Sequence, residues 1–191
     1  METTKMIYIY GAGGHGLVVA DIARSVGYDE IIFLDDNKEN KFNPALKKAD
    51  IVVAIGNNKT RKEIMQKVQN AGFNLVSLIH PSSVISPSTK IGNGVVIMPN
   101  VVINASAIIQ DGVILNSSCV IEHECFIDRY SHISPNVSLA GNVKVGELTH
   151  IGIGSCIIEC VKIGKNCIIG AGSTVLKDVD DNSKVYGIVK A

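Results

Sequence analysis

The feature that most constrains the fold is a six-residue repeat of aliphatic residues running from Ile79 to Val175. Stepping by six from Ile79 gives seventeen positions, and each holds Ile, Leu or Val. The residue four places after each of the first sixteen is small or β-branched. An internal hexapeptide repeat predicts a parallel β-helix, in which three hexapeptides make one triangular coil. We expect the aliphatic residues to stack inside and the small residues to fit the tight corners.

Composition agrees with a repetitive β core. Hydrophobic residues make up 46% of the chain, aromatic residues only 5%, and Trp is absent. Such a core is built mainly from Ile and Val, which favour strands. Several glycines of the repeat region are expected at turns with unusual backbone angles: Gly92, Gly94, Gly112, Gly146, Gly152, Gly164 and Gly170.

The segment before the repeat follows a different pattern, in which apolar runs alternate with amphipathic stretches. The runs KMIYIY, EIIFLDD, DIVVAIG and NLVSLIH predict strands, and residues 17–26 and KTRKEIMQKVQNAGF predict helices. Strand and helix in alternation indicate a parallel sheet with helices on its faces. We therefore expect two domains. Residues 1–80 form a small Rossmann-like α/β unit that can cap the solenoid, and residues 81–191 form the β-helix.

The α/β unit begins with a glycine turn. Gly11, Gly13 and Gly16 directly follow the first apolar run, and the acidic pair Asp35 and Asp36 ends the second strand. This spacing is that of a dinucleotide-binding turn, which cradles a pyrophosphate at a helix N-terminus. A full dinucleotide fold needs two βαβαβ halves, and the unit has room for about one. NAD binding remains an alternative, but a nucleotide-sugar is favoured because no hydride-transfer half is visible.

The charge balance and the cysteine content indicate which partners, which compartment and which metal sites are to be expected. The chain has 18 basic and 18 acidic residues without a like-charged run, so we expect no nucleic-acid partner and no membrane insertion. The N-terminus has no signal-peptide pattern, and an odd count of five cysteines then favours reduced thiols in the cytoplasm. Cys156 and Cys160 lack a second pair at zinc-like spacing, so no metal site is expected. Structural packing is the favoured role of the cysteines.

Several segments carry a family resemblance that covers nearly the whole chain. They are IYIYGAGGHG, IFLDD, VAIGNN followed by RKEI, LIHPSSVISPS, and above all VILNSSCVIEHECFI with SHIS and AGNVKVG. With the hexapeptide ladder, they resemble the NeuD/PglD-type sugar acyltransferases among the left-handed β-helix transferases. The resemblance implies a left-handed solenoid and acetyl transfer from acetyl-CoA to the 4-amino group of a UDP-2-acetamido-4-amino-2,4,6-trideoxyhexose, as in bacillosamine biosynthesis. It further implies a homotrimer with active sites between adjacent β-helices.

The resemblance also assigns binding residues. The N-terminal domain would bind the UDP-sugar through Gly13, Gly14, Asp35 and Asp36, and Asn116 matches a further substrate contact. His15 lies inside the glycine turn, so its imidazole is expected near the pyrophosphate or the sugar, with a solvent-facing loop residue as the alternative. The acetyl-CoA side would be formed by His132, Gly141, Ile153 and Ala171.

The crevice beyond the strand carboxyl ends, where such sheets bind ligands, adds three candidates for the substrate. They are Asn57, Asn58 and Arg61, which follow the third strand. For Arg61 an ordinary helix-surface charge is an equal alternative. His150 is interpreted as a surface or rim residue, and His80 as part of a domain-boundary turn.

Acyl transfer to an amine needs a base, and His123 in the IEHEC segment is the candidate. Gly141 lies one full coil further on, so the imidazole should look onto a place without a side chain, where a thioester could fit. By resemblance Glu124 or Glu122 orients the imidazole. Consecutive strand residues point to opposite faces, so pairing of His123 with Glu124 requires a turn.

Other readings remain open. The acceptor could be a GDP-amino-sugar or a sialic-acid hydroxyl, or the chain could be a non-catalytic trimeric scaffold that binds sugar-nucleotides. The C-terminal segment VYGIVKA departs from the proline-containing tail of many β-helix acyltransferases, which leaves the coenzyme contact there undefined.

Overall fold

The computed structural model describes residues 5–190 and begins with a four-stranded parallel sheet. Its strands lie in the order β2-β1-β3-β4. The elements of this domain are β1 (Met6–Tyr10), α1 (Gly14–Ser25), β2 (Glu30–Leu34), β3 (Asp50–Val53), α2 (Asn58–Asn70) and β4 (Asn74–Leu75). The predicted alternation of strands and helices is confirmed.

The stretch NLVSLIH, predicted as one strand, is shared between two sheets. Its first half is β4, which pairs with β3. Its second half is β5 (Leu78–Ile79), which pairs with Val96–Ile97 in the solenoid. The chain therefore passes from the α/β sheet into the first coil within a few residues, without a flexible linker.

The rest of the chain forms a parallel β-solenoid of very short strands, consistent with a left-handed β-helix. After β5 they are β6 (Val84–Ile85), β7 (Lys90–Ile91), β8 (Val96–Ile97), β9 (Val102–Ile103), β10 (Ile108–Ile109), β11 (Ile114–Leu115), β12 (Val120–Ile121), β13 (Phe126–Ile127), β14 (His132–Ile133), β15 (Ser138–Leu139), β16 (Lys144–Val145), β17 (His150–Ile151), β18 (Cys156–Ile157), β19 (Lys162–Ile163), β20 (Ile168–Ile169), β21 (Thr174–Val175), β22 (Lys184–Val185) and β23 (Ile188–Val189).

These strands make three sheets, one on each side of the triangular coil. The covered face contains β5, β8, β11, β14, β17, β20 and β22, and the α/β domain packs on its first strands. The uncharged face contains β6, β9, β12, β15, β18, β21 and β23, whose outward residues are Val84, Val102, Val120, Ser138, Cys156, Thr174 and Ile188. The lysine face contains β7, β10, β13, β16 and β19 and carries Lys90, Lys144 and Lys162 outward. Up to β21, strand neighbours on every face are separated in sequence by one coil of three hexapeptides, as Ile108 and Phe126 are.

The interior confirms the aliphatic ladder. From Ile97 to Val175 every sixth residue is buried in one continuous core. The small and β-branched residues four places further on, from Val101 to Ser173, are buried as well, each directly before a strand. The turns are made by the two residues that precede them.

Backbone geometry corrects the expectation for the glycines. Of the seven predicted at unusual angles, only Gly94 and Gly112 have a positive φ. The others are needed because neighbouring chain is too close for a side chain. A Cβ on Gly146, for example, would lie 2.6 Å from the Lys165 nitrogen. The positive φ values recur at every sixth position from 94 to 172 on the second turn residue, which is often not glycine: Asn100, Ser106, Ser118, Glu124, Tyr130, Asn136, Asn142, Leu148, Cys160 and Asn166.

Neither helix of the described chain combines the length and apolarity that a bilayer span requires.

Candidate active site

The α/β domain has a cleft of about 490 Å³ at the carboxyl ends of β1 and β3. Gly11 needs its φ of +124° at the turn, and Gly16 packs so tightly on the Gly11 carbonyl that no Cβ fits. Gly13 and Gly14, by contrast, have open space where a side chain would be. Two glycines thus serve the fold, while the other two leave the N-terminus of α1 open to an anionic ligand. The lining residues are Tyr10, Gly11, Ala12, Gly13, His15, Asp35, Asp36, Asn37, Ala54, Ile55, Gly56, Thr60 and Ile64.

The two aspartates predicted to bind substrate have different surroundings. Asp36 accepts hydrogen bonds from the Tyr10 hydroxyl at 2.5 Å and from the Lys67 ammonium at 2.9 Å. Those bonds hold the pKa of Asp36 below its usual value. Asp35 accepts bonds from two backbone amides and from no side chain among the described residues: 3.0 Å from Asn37, and 3.4 Å from Ala12 beside the glycine turn. Asp35 is therefore the carboxylate better placed to receive a ligand hydroxyl or base.

Arg61 corrects both interpretations made from the sequence. Its side chain has no exposed surface, so it is not a helix-surface charge. The guanidinium donates to Gly112 O at 2.8 Å and to Tyr130 O at 2.7 Å in the solenoid. It also donates to the Ile55, Gly56 and Ser131 carbonyls and to Asn58 Oδ1. Because all five N–H groups are engaged, Arg61 joins the two domains and has no donor left for a substrate.

The two asparagines beside it also hold structure. Asn58 is buried and donates to the carbonyls of Leu148 and Thr149 across the domain junction. Asn57 caps α2 by accepting from the Thr60 amide at 3.0 Å. The structure thus corrects the prediction that Asn58 binds substrate, because its side-chain carbonyl and amide both bond within the protein. Asn57, by contrast, is exposed.

Three histidines lie together where the α/β domain meets the covered face. The rings of His132 and His150 stack with centroids 4.8 Å apart. The Asn116 amide lies 3.1 Å from His132 Nε2, and the Ser134 hydroxyl lies 2.8 Å from His150 Nε2. His15 Nε2 and His132 Nδ1 are buried without a hydrogen-bond partner among residues 5–190. Such orphaned atoms indicate a place for a ligand or ordered water.

Burial keeps this cluster neutral. It lowers the pKa of His15 to about 4 and that of His132 to about 3, with the positive charge of Arg61 adding to both effects. Proximity to His150 lowers the pKa of His132 further. The pKa of His150 is also lowered, first by burial and then by Arg61. At neutral pH these side chains act as uncharged hydrogen-bonding groups.

The neutral cluster predicts loss of stability in acid. The folded chain binds protons on His15 and His132 only near pH 4 and below, whereas the unfolded chain binds them near pH 6.5. Stability is therefore complete above pH 6.5 and falls as the pH falls, by up to about 1.4 kcal/mol per pH unit for each histidine. Urea unfolding between pH 7 and pH 5 measures this slope. The double variant His15→Gln, His132→Gln should have a flatter slope, and an equal slope would refute the assignment.

His123 lies elsewhere, at the corner between the uncharged face and the lysine face. His123 and Glu124 form a turn, with Glu124 at a φ of +59°. This turn brings His123 Nδ1 to 3.2 Å from Glu124 Oε2 on the exposed surface. A Cβ on Gly141 would lie 2.6 Å from both Cε1 and Nε2 of His123, so the ring lies directly over this glycine. The Glu122 carboxylate accepts a hydrogen bond from the His123 backbone amide at 3.3 Å, not from the ring.

Lys144 belongs to this corner although nothing in the sequence pointed to it. Its ammonium donates to the Glu124 carbonyl at 2.8 Å and so fastens the turn that carries His123. Its position on β16, the strand after the Gly141 corner, follows from the coil period, but a contact of a flexible lysine with a backbone carbonyl does not.

Ile153 and Ala171 lie in successive coils at a third place, the corner between the covered face and the uncharged face. Ile153 is 52% exposed although it is apolar. Within one chain the structure therefore brings together His123, Glu124 and Gly141 at one corner. Asn116, His132 and His15 meet on the covered face.

The cysteines belong to no cluster of metal-ligating side chains among the described residues. Cys119, Cys125 and Cys167 are buried in the ladder, and Cys156 and Cys160 are exposed. Burial raises the pKa of Cys119 to about 12 and that of Cys125 to about 11, so neither is a thiolate at neutral pH.

Comparison with known families gives matches to both halves. The PglD N-terminal domain family matches residues 6–68, and the bacterial transferase hexapeptide family matches residues 88–123 and 142–177. Among curated proteins, the chain is similar to the UDP-N-acetylbacillosamine N-acetyltransferase of Bacillus subtilis (strain 168). The identity is 34% over 107 residues, which span 47% of this chain and only 50% of that protein.

Solved structures match over nearly the full length. The acetyltransferase domain of PglB from Neisseria gonorrhoeae FA1090 is 38% identical, with a TM-score of 0.90 over 96% of this chain and 97% of that chain. PerB from Caulobacter crescentus, solved with CoA and GDP-perosamine, is 35% identical, with a TM-score of 0.93 over 97% of this chain and 95% of that chain.

Proposed function

The chain belongs to the hexapeptide-repeat sugar N-acetyltransferases with a PglD-type N-terminal domain, and on this premise we propose a specific reaction. It transfers acetyl from acetyl-CoA to the 4-amino group of a UDP-2-acetamido-4-amino-2,4,6-trideoxyhexose. One observation carries the proposal: an exposed imidazole paired with a carboxylate lies over a glycine, on a solenoid whose α/β cap holds an open glycine-turn cleft.

The relatives support both substrates. The PglB domain of Neisseria gonorrhoeae has been solved with acetyl coenzyme A. The Bacillus subtilis relative is a UDP-N-acetylbacillosamine N-acetyltransferase. Structures of the perosamine N-acetyltransferase from Caulobacter crescentus include histidine-to-alanine and histidine-to-asparagine variants, which directs attention to a histidine in this chain as well.

His123 is the proposed general base. Glu124 accepts the Nδ1 proton of the imidazole, which leaves Nε2 free to take a proton from the sugar amine. The amine nitrogen then bonds to the thioester carbonyl carbon, and a tetrahedral intermediate forms. When the carbon–sulfur bond breaks, the thiolate takes the proton from the imidazolium, and the amide and CoA leave.

The acceptor and the donor would bind to different parts of the chain. The pyrophosphate of the acceptor would bind at Gly13 and Gly14, where the N-terminus of α1 is open. His15 and His132 each have an unpartnered buried nitrogen that would serve the sugar or the acetyl group. The pantetheine arm would follow the corner that exposes Ile153 and Ala171.

The proposed enzyme is a homotrimer with shared sites. The His123 corner lies opposite the covered face, which carries Asn116 and His132, so one chain cannot bring both groups to one amine. The uncharged face offers a second copy seven strands without an outward charge. The test is co-expression of differently tagged His123→Ala and Asn116→Ala subunits. Mixed trimers should regain activity that each parent lacks, and inactive mixed trimers would argue against shared sites.

Gly141→Ala should slow turnover by about 10-fold to 100-fold, because the new methyl displaces the His123 ring from its place. Steady-state kinetics with both substrates measures this loss. In a His123→Ala background the same change should cost nothing further, since no ring remains to be displaced. Additive losses would mean that Gly141 acts independently of His123.

A second acceptor is supported by the similarity to PerB, which was solved with GDP-perosamine. Mass spectrometry of reactions with acetyl-CoA and either the UDP-linked or the GDP-linked 4-amino-sugar decides between them. The proposal expects a product heavier by one acetyl with the UDP substrate. A product only with GDP-perosamine would keep the reaction and change the acceptor. No product with either would overturn the proposed function.

A further inference from the structure

Tyr186 is an exposed aromatic residue held in a fixed place. It lies between β22 and β23 in the last coil, and 68% of its surface is exposed. Its ring lies against Gly170 of the preceding coil, where a Cβ would collide with ring carbons. Within residues 5–190 its hydroxyl makes no hydrogen bond, and its ring pairs with no aromatic or lysine side chain.

The backbone beneath the ring is rigid. The Gly170 amide donates to the Val185 carbonyl at 2.8 Å. The Gly170 carbonyl accepts from the Ser155 hydroxyl at 2.9 Å and from the Ser173 hydroxyl at 2.7 Å. The ring therefore lies on a surface fixed by the solenoid interior, so a ligand that stacked on it would not have to order it first.

Tyr186 lies at the same corner of the solenoid as two residues of the candidate donor site. It follows Ile153 and Ala171 at the corner between the covered face and the uncharged face. The α/β domain packs on the first strands of the covered face, so the last coils are the uncovered end of this face for an elongated donor with its acetyl group near Asn116. Four strand steps separate β11 from β22, about 19 Å at the usual spacing.

The chemistry around Tyr186 suits a nucleotide. Ile168, on the adjoining covered face, is 40% exposed and extends the apolar surface. Lys184 and Lys190 are exposed on either side of Tyr186 in sequence. A flat base stacks on an aromatic ring, and phosphate groups pair with lysines.

We propose that Tyr186 is the stacking platform for the adenine of the acetyl donor, an assignment that rests on the proposed function. The adenine lies on the exposed ring, and Lys184 and Lys190 receive the phosphates of the same nucleotide. The acetyl end then reaches the coils that carry Asn116 and His132.

The test compares two donors with and without the ring. Tyr186→Ala should raise the KM for acetyl-CoA by at least about fivefold, the lower range for losing one stacked base, with kcat within about twofold. With S-acetylpantetheine, which has no adenine, the variant and the parent should have the same kinetics. Tyr186→Phe is the matched control and should keep the KM of the parent, because stacking needs the ring and not the hydroxyl.

Other outcomes would overturn the assignment. An unchanged KM for acetyl-CoA, or equal losses with both donors, would mean that Tyr186 does not contact adenine. A Tyr186→Ala protein that no longer forms the parent oligomer would place the ring in a subunit interface instead. Calorimetric titration with CoA alone needs no sugar acceptor, so it measures the platform even if the proposed acetyl transfer fails.

Discussion

His123→Ala is expected to lower kcat by about 10² to 10⁴-fold, the usual contribution of general base catalysis. The imidazole is the group over Gly141, and Glu124 fixes the nitrogen that carries its proton. Substrate binding should change little, because the acceptor's pyrophosphate is expected at the distant glycine turn. Single-turnover kinetics at saturating substrate, together with nucleotide binding by calorimetry, separates the two effects.

The matched control is His80→Ala. His80 directly precedes a turn at the start of the solenoid, and its Nδ1 hydrogen-bonds with Ser82 of that turn, so its loss should leave kcat unchanged. If His123→Ala kept turnover near that of His80→Ala, another group would have to be the base.

Arg61→Met is expected to lower the free energy of unfolding by about 3 to 5 kcal/mol, which is the range for removing a buried, fully bonded charged group. Methionine fills a similar volume but satisfies none of the five carbonyls and the Asn58 oxygen that Arg61 now bonds. Because domains are stable by only about 5 to 15 kcal/mol, this single change should bring the chain close to unfolding at moderate temperature.

Arg24→Met is the control for Arg61→Met. Arg24 is also a helical arginine, but its side chain is 60% exposed and forms a surface ion pair with Asp21. We expect its free energy of unfolding to stay within about 0.5 kcal/mol of the parent. Urea denaturation of the three proteins measures the difference, and similar midpoints for Arg61→Met and Arg24→Met would mean that water replaces the guanidinium at the junction.

The solenoid could be predicted from the sequence because its contacts repeat at one fixed separation. Once Ile97 and Leu115 are known to stack, every other rung follows, and the corner that joins His123 to Gly141 follows as well. The α/β unit was predictable for a similar reason, since strands and helices differ in period.

The contacts between the domains could not be predicted in this way. Arg61 donates to the carbonyls of Gly112, Tyr130 and Ser131, which are remote in sequence. Since every residue has a backbone carbonyl, the sequence does not show which ones accept a side-chain donor. The glycines show the same limit. Close approach of a neighbouring coil, as at Gly146, and a positive φ, as at Gly94, both select glycine, and only the structure separates the two causes.

Because stacked strands up to β21 are separated by three hexapeptides, the number of residues between two positions determines the face on which the second one lies. An insertion of one whole coil between β15 and β18 would lengthen the distance from His123 to the last coil by one strand spacing and leave every later residue on its own face. An insertion of a single hexapeptide would turn everything that follows to the next face, although the hydrophobic ladder would remain intact. Length changes in such a chain can therefore preserve the core completely and still separate the halves of the site.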